Sequence, residues 1–204
     1  MVFPKTFVSL NIEPVTLQGK HVRLEPLSLD HLEQLCEVGL KPELWRWTAS
    51  QVRTPGDMRV YVETALKWQA EGTALPFATI SEQTGRVVGS TRFANIDSEN
   101  RHLEIGWTWI APLWQQTAVN TEAKYLMLGH AFEKFGCIRV EFKTDSLNEK
   151  SRRALLRIGA KEEGTFRNHM IVHGGRYRHS VYFSVIESEW PEVKRRLEEK
   201  LRGS

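Results

Sequence analysis

The segment that most restricts the fold runs from residue 102 to residue 144. Alternating residues at 102–110 suit a strand, Ala111 and Pro112 break it, and a helical pattern follows over about 120–135 until Gly136 closes it. Residues 139–144 then suit a strand again. Strand, helix and strand in that order need a crossover on one face of a sheet. The junction where the first strand feeds the helix is a natural ligand site.

The flanking segments place this crossover in an α+β chain. Residues 15–26 predict a bent strand or strand pair around Gly19. Ser28 is placed to cap a helix that carries Leu29, Leu32, Leu35 and Cys36 on one face and ends near Gly39. Thr54 followed by Pro55 starts a second helix that stops at Glu71 and Gly72. Strands at 76–80 and 86–93 join 102–110 in an antiparallel meander, with turn residues at 83–85 and 97–100. Beyond the crossover come a helix at 148–158 closed by Gly159, a hairpin of 166–170 and 177–185 across Gly174 and Gly175, and a last helix capped by Ser188. The expected organisation is an N-terminal arm (1–14), one globular domain (15–190), and a C-terminal helix and tail (191–204).

Length and charge exclude several function classes. A chain of 204 residues with 41% hydrophobic and 26% charged residues can bury one sizeable core. Its 28 basic and 25 acidic residues are intermixed for a net charge of +3, which argues against a DNA-coating or membrane-surface protein. No apolar run approaches the ~20 residues that span a bilayer. The start, Met1 to Lys5, lacks the basic and apolar regions of a secretion signal. Cys36 and Cys137 stand alone, as in a protein of the reducing cytoplasm, and His169, His173 and His179 lack metal-ligand spacing, so no metal is expected.

Two segments carry the candidate chemistry. The loop 111–120 delivers backbone N–H groups at a helix N-terminus, where the dipole favours a pyrophosphate, although every helix offers such an end. On the helix 148–158, Asn148 and Ser151 share a face near the N-terminus, where they serve either a ligand or the helix cap.

Taken together, Glu104-Ile105-Gly106-Trp107, the loop before the long helix, and the Asn148-x-x-Ser151 helix ending in Gly159-Ala160 resemble the GNAT superfamily of N-acetyltransferases. Within it, Leu24-Glu25-Pro26-Leu27, Thr121-Glu122-Ala123-Lys124, His130-Ala131-Phe132-Glu133 and Ser151-Arg152-Arg153-Ala154-Leu155 are similar to the branch of the ribosomal-protein alanine N-acetyltransferases. The resemblance extends over roughly 15–190. It implies a mixed, mostly antiparallel sheet flanked by helices, with a splayed strand pair that holds acyl-CoA. It also implies acetyl transfer from acetyl-CoA, as co-substrate, to a primary amine.

By the same resemblance, the pantetheine arm pairs with backbone at Trp107, Trp109 and Ile110, and the N–H near Trp109 or Ile110 polarises the thioester. The pyrophosphate rests on Gln115, Gln116, Thr117, Ala118, Val119 and Asn120. Here the sequence departs from the family, with Ala118 and Asn120 where loop glycines stand, and glycine is the residue that tolerates positive φ. Glu104 is the candidate base, or else a structural ion pair. Ser151 is the candidate acid or thiol-side donor, because Leu155 occupies the family's tyrosine position, with Tyr182 as another hydroxyl; Asn148 orients the pantetheine. Trp45 and Trp47 wall the acceptor site or pack the core.

Strand alternation puts Glu104, Gly106 and Thr108 on one face unless a bulge shifts the phase. The expected partners are acetyl-CoA and an amine, a ribosomal or other protein N-terminus among them, with no membrane and no DNA, in a monomer or homodimer. The competing readings are a catalytically weak acyl-CoA-binding module, suggested by the glycine and tyrosine departures, and an RNA-associated interaction protein, suggested by Arg176-Tyr177-Arg178-His179.

Overall fold

The computed structural model describes residues 12–203, so most of the expected N-terminal arm, along with Ser204, lies outside the described residues. The chain opens with β1 (Leu17–Gln18) and β2 (Val22–Pro26), paired antiparallel around Gly19. The turn between them is tied down by a distant carboxylate. Glu122 accepts hydrogen bonds from the backbone N–H groups of Lys20 (3.0 Å), His21 (2.6 Å) and Val22 (2.9 Å). A Cβ at position 19 would fall 2.4 Å from that carboxylate, so glycine is required there.

Ser28 caps a 3₁₀ turn (Leu29–His31) that runs into α1 (Leu32–Gly39). A four-residue helix that the sequence did not suggest, α2 (Pro42–Trp45), comes next, and then α3 (Pro55–Ala70). The expected cap of α3 is present: Thr54 Oγ1 accepts from Asp57 N at 3.1 Å, while Asp57 accepts from Thr54 N at 2.9 Å. That reciprocal pair satisfies donors that a helix start otherwise leaves open.

The meander is β3 (Ala74–Ser81), β4 (Val87–Asp97) and β5 (His102–Ile110). The crossover helix α4 (Ala118–Gly129) ends in a π-helical turn, His130–Lys134, and leads to β6 (Arg139–Asp145). Then come α5 (Glu149–Ile158), the hairpin β7 (Lys161–Val172) and β8 (Arg176–Ile186), and α6 (Trp190–Arg202). Ser188 does not cap α6; it lies in a 3₁₀ turn, and Glu189 stands at the cap position.

Among the described residues, eight strands form one sheet in the order β1-β2-β3-β4-β5-β6-β8-β7, in which only β5 and β6 run parallel. Helices cover both faces. On one face β5 contributes Leu103, Ile105 and Ile110 to a core with Phe93, Met127, Phe142 and Trp190; on the other it contributes Trp109 to a second core with Leu35, Trp45, Met58 and Val62. Each large apolar side chain buried this way stabilises the fold by about 1.5–3 kcal/mol. α6 presents Trp190, Val193 and Leu197 inward, and Trp190 stacks on Phe132 at 5.6 Å between ring centroids.

Candidate active site

The site forms because two parallel strands part. β5 and β6 stay in register only at His102/Arg139, Leu103/Val140 and Glu104/Glu141. From Ile105 onward, β5 has no strand partner on its β6 side among the described residues, and its backbone is available to something other than the sheet. The opening leads along β5 to the loop that starts α4.

Within the opening, β5 carries a bulge. Trp107 has φ of +50°, an uncommon value for a bulky residue, and the register with β4 slips between Ser90 and Arg92. The slip changes which residues share a face. Simple alternation puts Thr108 beside Glu104. Instead, Thr108 Oγ1 turns toward α4 and accepts from Lys124 Nζ at 2.9 Å, whereas Glu104, Gly106, Trp107 and Trp109 belong to the α3 face. Two carbonyls at this end of β5 are already engaged, that of Trp107 by Tyr61 Oη (3.2 Å) and that of Ile110 by Gln115 Nε2 (2.8 Å).

Glu104 is 3% exposed. Its carboxylate accepts from Asn95 Nδ2 at 2.8 Å and pairs with Lys143 Nζ of β6 at 3.2 Å. A Cβ at position 106 would fall 2.6 Å from Glu104 Oε1, so Gly106 makes the space into which the carboxylate folds. That contact gives the Glu-x-Gly spacing its physical reason. Tyr182 of β8 faces the same region: its ring centroid lies 5.8 Å from Lys143 Nζ, and burial pushes its phenol above the ordinary value.

At the α4 end, the expected helix start moves by two residues. Thr117 is the cap: its Oγ1 accepts from Val119 N at 3.3 Å and donates to the Trp114 carbonyl at 2.8 Å. Ala118, Val119 and Asn120 are therefore the first three helical residues, with their N–H groups at the positive end of the dipole. The one left-handed residue of this loop is Gln116, at φ +64°. Missing glycine at 118 consequently strains nothing, because that position is helical. Gln115 bridges outward and accepts from Lys150 Nζ of α5.

Asn148 caps α5, its Oδ1 accepting from Ser151 N at 3.1 Å, and both residues are half-buried at the head of that helix. The two candidate tryptophans separate. Trp45 is buried in the second core, its Nε1 donating to the Gly39 carbonyl at 2.7 Å and its ring 5.3 Å from Tyr61 and 5.5 Å from Trp109. Trp47 is half-buried, with the guanidinium carbons of Arg46 and Arg176 4.7 Å and 5.5 Å from its ring centroid.

Three charged residues escaped the sequence reading. Lys143 pairs with Glu104. Lys124 is buried under the bulge, where desolvation lowers its pKa to about 7. Arg92 of β4, 1% exposed, lies 4.9 Å, 5.3 Å and 5.2 Å from the ring centroids of Tyr61, Trp68 and Trp107. Its Nε and Nη2 are buried without a hydrogen-bond partner. Each aromatic contact is worth ~0.5–2 kcal/mol, against several kcal/mol for burying an unpaired cation. A charged residue in the middle of an otherwise buried strand was the available signal for Arg92.

Among the described residues, no group of three or more His, Cys, Asp and Glu side chains is arranged to hold a metal, and no helix is long and apolar enough to cross a membrane.

Residues 21–161 match the family described as the acetyltransferase (GNAT) domain. The chain is 29% identical over 182 residues to the "Putative ribosomal N-acetyltransferase YdaF" of Bacillus subtilis, covering 86% of this chain and 97% of that protein. A GCN5-related N-acetyltransferase from Brucella melitensis superposes with a TM-score of 0.87 at 33% identity, covering 93% of this chain and 86% of the other. Mycobacterium smegmatis RimJ in complex with CoA-disulfide superposes with a TM-score of 0.80 over 92% of this chain and 95% of the other; at 21% identity it speaks to the fold alone. The chain belongs to the GNAT acetyltransferase family and is an acyltransferase by class.

Proposed function

We propose that the protein transfers the acetyl group of acetyl-CoA directly to a primary amine, and that a protein N-terminus, ribosomal or other, is the leading acceptor. The observation that carries this reading is the parting of β5 from β6 after Glu104, which opens onto the N-terminal amides of α4. The family match and the relative's ribosomal name agree with it.

The residues fit the co-substrate. The amides of Ala118 and Asn120 and the left-handed backbone at Gln116 suit a pyrophosphate, and the unpaired edge of β5 suits the amides of an extended pantetheine chain. Acetyl-CoA supplies an activated acyl group. Glu104 holds a buried carboxylate that takes the amine's proton, directly or through a water, and Lys143 and Asn95 fix its orientation. Backbone N–H groups near Trp109 and Ile110 polarise the acyl carbonyl. Ser151, with Asn148 behind it, donates toward the thiol side. Trp47 walls the acceptor approach, whereas Trp45 supports that wall from within the core.

The deciding experiment measures free thiol released from acetyl-CoA in the presence of N-terminal peptides, polyamines and aminoglycosides. Release that depends on the amine supports the proposal, and tight CoA binding without release would favour the binding-module reading. In the same series, Ala118→Glu should weaken acetyl-CoA at least about tenfold through clash and like charge. Its fold should survive, because an acidic residue in a first helical turn is favourable. Unchanged affinity by calorimetry would move the pyrophosphate away from this loop.

A further inference from the structure

Beside the bulge, on the α3 face, lies a cavity of about 210 Å³ whose wall includes Tyr61, Trp68, Arg92 and Trp107, with Asp57 and Thr64 also lining it. Its chemistry is unusual for a cavity at the edge of an apolar core. Arg92 brings a guanidinium that makes no ion pair and no hydrogen bond to any described residue, and its Nε and Nη2 are both unsatisfied. Buried N–H groups are nearly always paired in native proteins, and a bare guanidinium is among the most costly to leave without a partner. Lysine in such a place sheds its proton, but arginine keeps it at any physiological pH. The three aromatic rings compensate the charge without accepting the hydrogen bonds.

We infer that this cavity is an acceptor subsite that receives a carboxylate on the amine substrate, with Arg92 as its specificity-determining residue. The inference rests on the amine-acetylation reading above. A carboxylate matches the flat fork of one guanidinium with two parallel hydrogen bonds, and a small shift of the surrounding rings that uncovers the buried Nη2 would complete that fork. A phosphate dianion fits less well, because the cavity lining holds a single cation, Arg92, and the Asp57 carboxylate repels two charges more than one. The volume suits a short carboxylate-bearing segment rather than a large ligand. Position supports the assignment as well. The Trp107 ring bounds the cavity and lies 6.0 Å from Lys143, the partner of Glu104, so a carboxylate on Arg92 would place its own amine near the candidate base. Two sources carry this chemistry: a small amino acid, and a peptide with an acidic residue next to its N-terminus.

The test uses matched acceptors that differ in charge alone. One arm pairs β-alanine and 4-aminobutanoate with their carboxamides. The other pairs peptides carrying Asp or Glu at the second position with the same peptides carrying Asn or Gln. In at least one arm, wild type should favour the carboxylate by about ten- to a hundredfold in kcat/KM, the range expected of a hydrogen bond to a charged group. Arg92→Met should abolish the preference, chiefly by raising acceptor KM. Arg92→Lys, which keeps the charge without the fork, should lose most of it and guards against a folding defect in the first variant.

Acetylation of amines with no preference for the carboxylate, or a preference that survives in both variants, would overturn the inference while leaving acetyl transfer intact. If no amine is acetylated, thermal unfolding decides the site separately. Butanoate, with butanamide as control, should raise the melting temperature of wild type but not of Arg92→Met. Absence of that shift in wild type would remove the carboxylate site whatever the enzyme acetylates.

Discussion

The two faces of β5 each bury a cation, and they do so by opposite means. Under the bulge on the α4 face, Lys124 sits among apolar residues with Thr108 as its hydrogen-bond acceptor, and burial lowers its pKa to about 7. On the α3 face, Arg92 stays among three aromatic rings with unpaired N–H groups, while next to it Lys143 keeps a carboxylate partner in Glu104. Lysine can escape a low dielectric by losing its proton; arginine cannot. One face therefore stores its polar group as structure, and the other exposes charge to a cavity and to the parted strands. Changes on the α3 face should alter rates and substrate choice, and changes on the α4 face should alter stability.

The largest expected effect tests the face proposed to be reactive. At pH 7 an N-terminal α-amine with pKa ~7.7–8.0 is free in roughly one molecule in ten and a primary alkylammonium with pKa ~10.4 in about one in a few thousand, so a positioned base matters for both and less for the first. Glu104→Gln should lower kcat/KM by ~10²–10⁴-fold on the acidic limb and by less at high pH, with acetyl-CoA affinity nearly unchanged. Paired pH–rate profiles measure it. If the two curves coincide in shape and height, Glu104 is only the structural partner of Lys143, and the contrast between the faces loses its kinetic half.

A second change sharpens the structural half. Folded Lys124 takes its proton only near pH 7, whereas in the unfolded chain it does so near 10.5. Between those values the unfolded state binds the additional proton, so stability falls as pH drops from about 10.5 to about 7 and is level below. Lys124→Met should thus stabilise the protein at pH 7, by an amount on the order of a few kcal/mol, because each tenfold loss of proton affinity on folding costs ~1.4 kcal/mol. The gain should fade toward pH 10.5. Denaturant melts at pH 7 and pH 10 provide the comparison. A variant less stable at pH 7 would mean that the Lys124–Thr108 contact outweighs the cost of desolvation.

The smallest effect concerns neither face of β5 but the far side of the opening. Ser151→Ala should reduce kcat by less than about tenfold, with little change in the acetyl-CoA KM, because a hydroxyl that donates to a developing thiolate acts mainly in the transition state. Equal turnover under chemistry-limited conditions would leave Ser151 with its place in the first turn of α5 and no more.

Much of the architecture was legible because its signals are local. The Thr54 and Ser28 caps, the closing Gly159 and the meander's turns are each decided by a few neighbouring residues, and the structure keeps them. The segment of β5 and the loop to α4 were likewise readable as one unit. Three local details differ. The cap of α4 is Thr117, because its hydroxyl reaches both Val119 N and the Trp114 carbonyl; the left-handed residue is Gln116; and Ser188 gave way to Glu189.

What the sequence determined by itself was the order of elements apart from the short α2, the likeness to acetyltransferases, and the placing of Glu104 on the strand that opens. Tertiary structure decided the rest, because each remaining feature joins residues far apart in the chain. The bulge at Trp107 depends on pairing with β4 and reverses which side Thr108 takes. Lys143 reaches Glu104 only because β6 returns beside β5 after the α4 crossover. Arg92 becomes an unpaired cation in an aromatic box only when α3 brings Tyr61 and Trp68 over β4. Periodicity reports which face a side chain takes, but a buried charge is defined by what stands opposite it, and long-range packing alone supplies that.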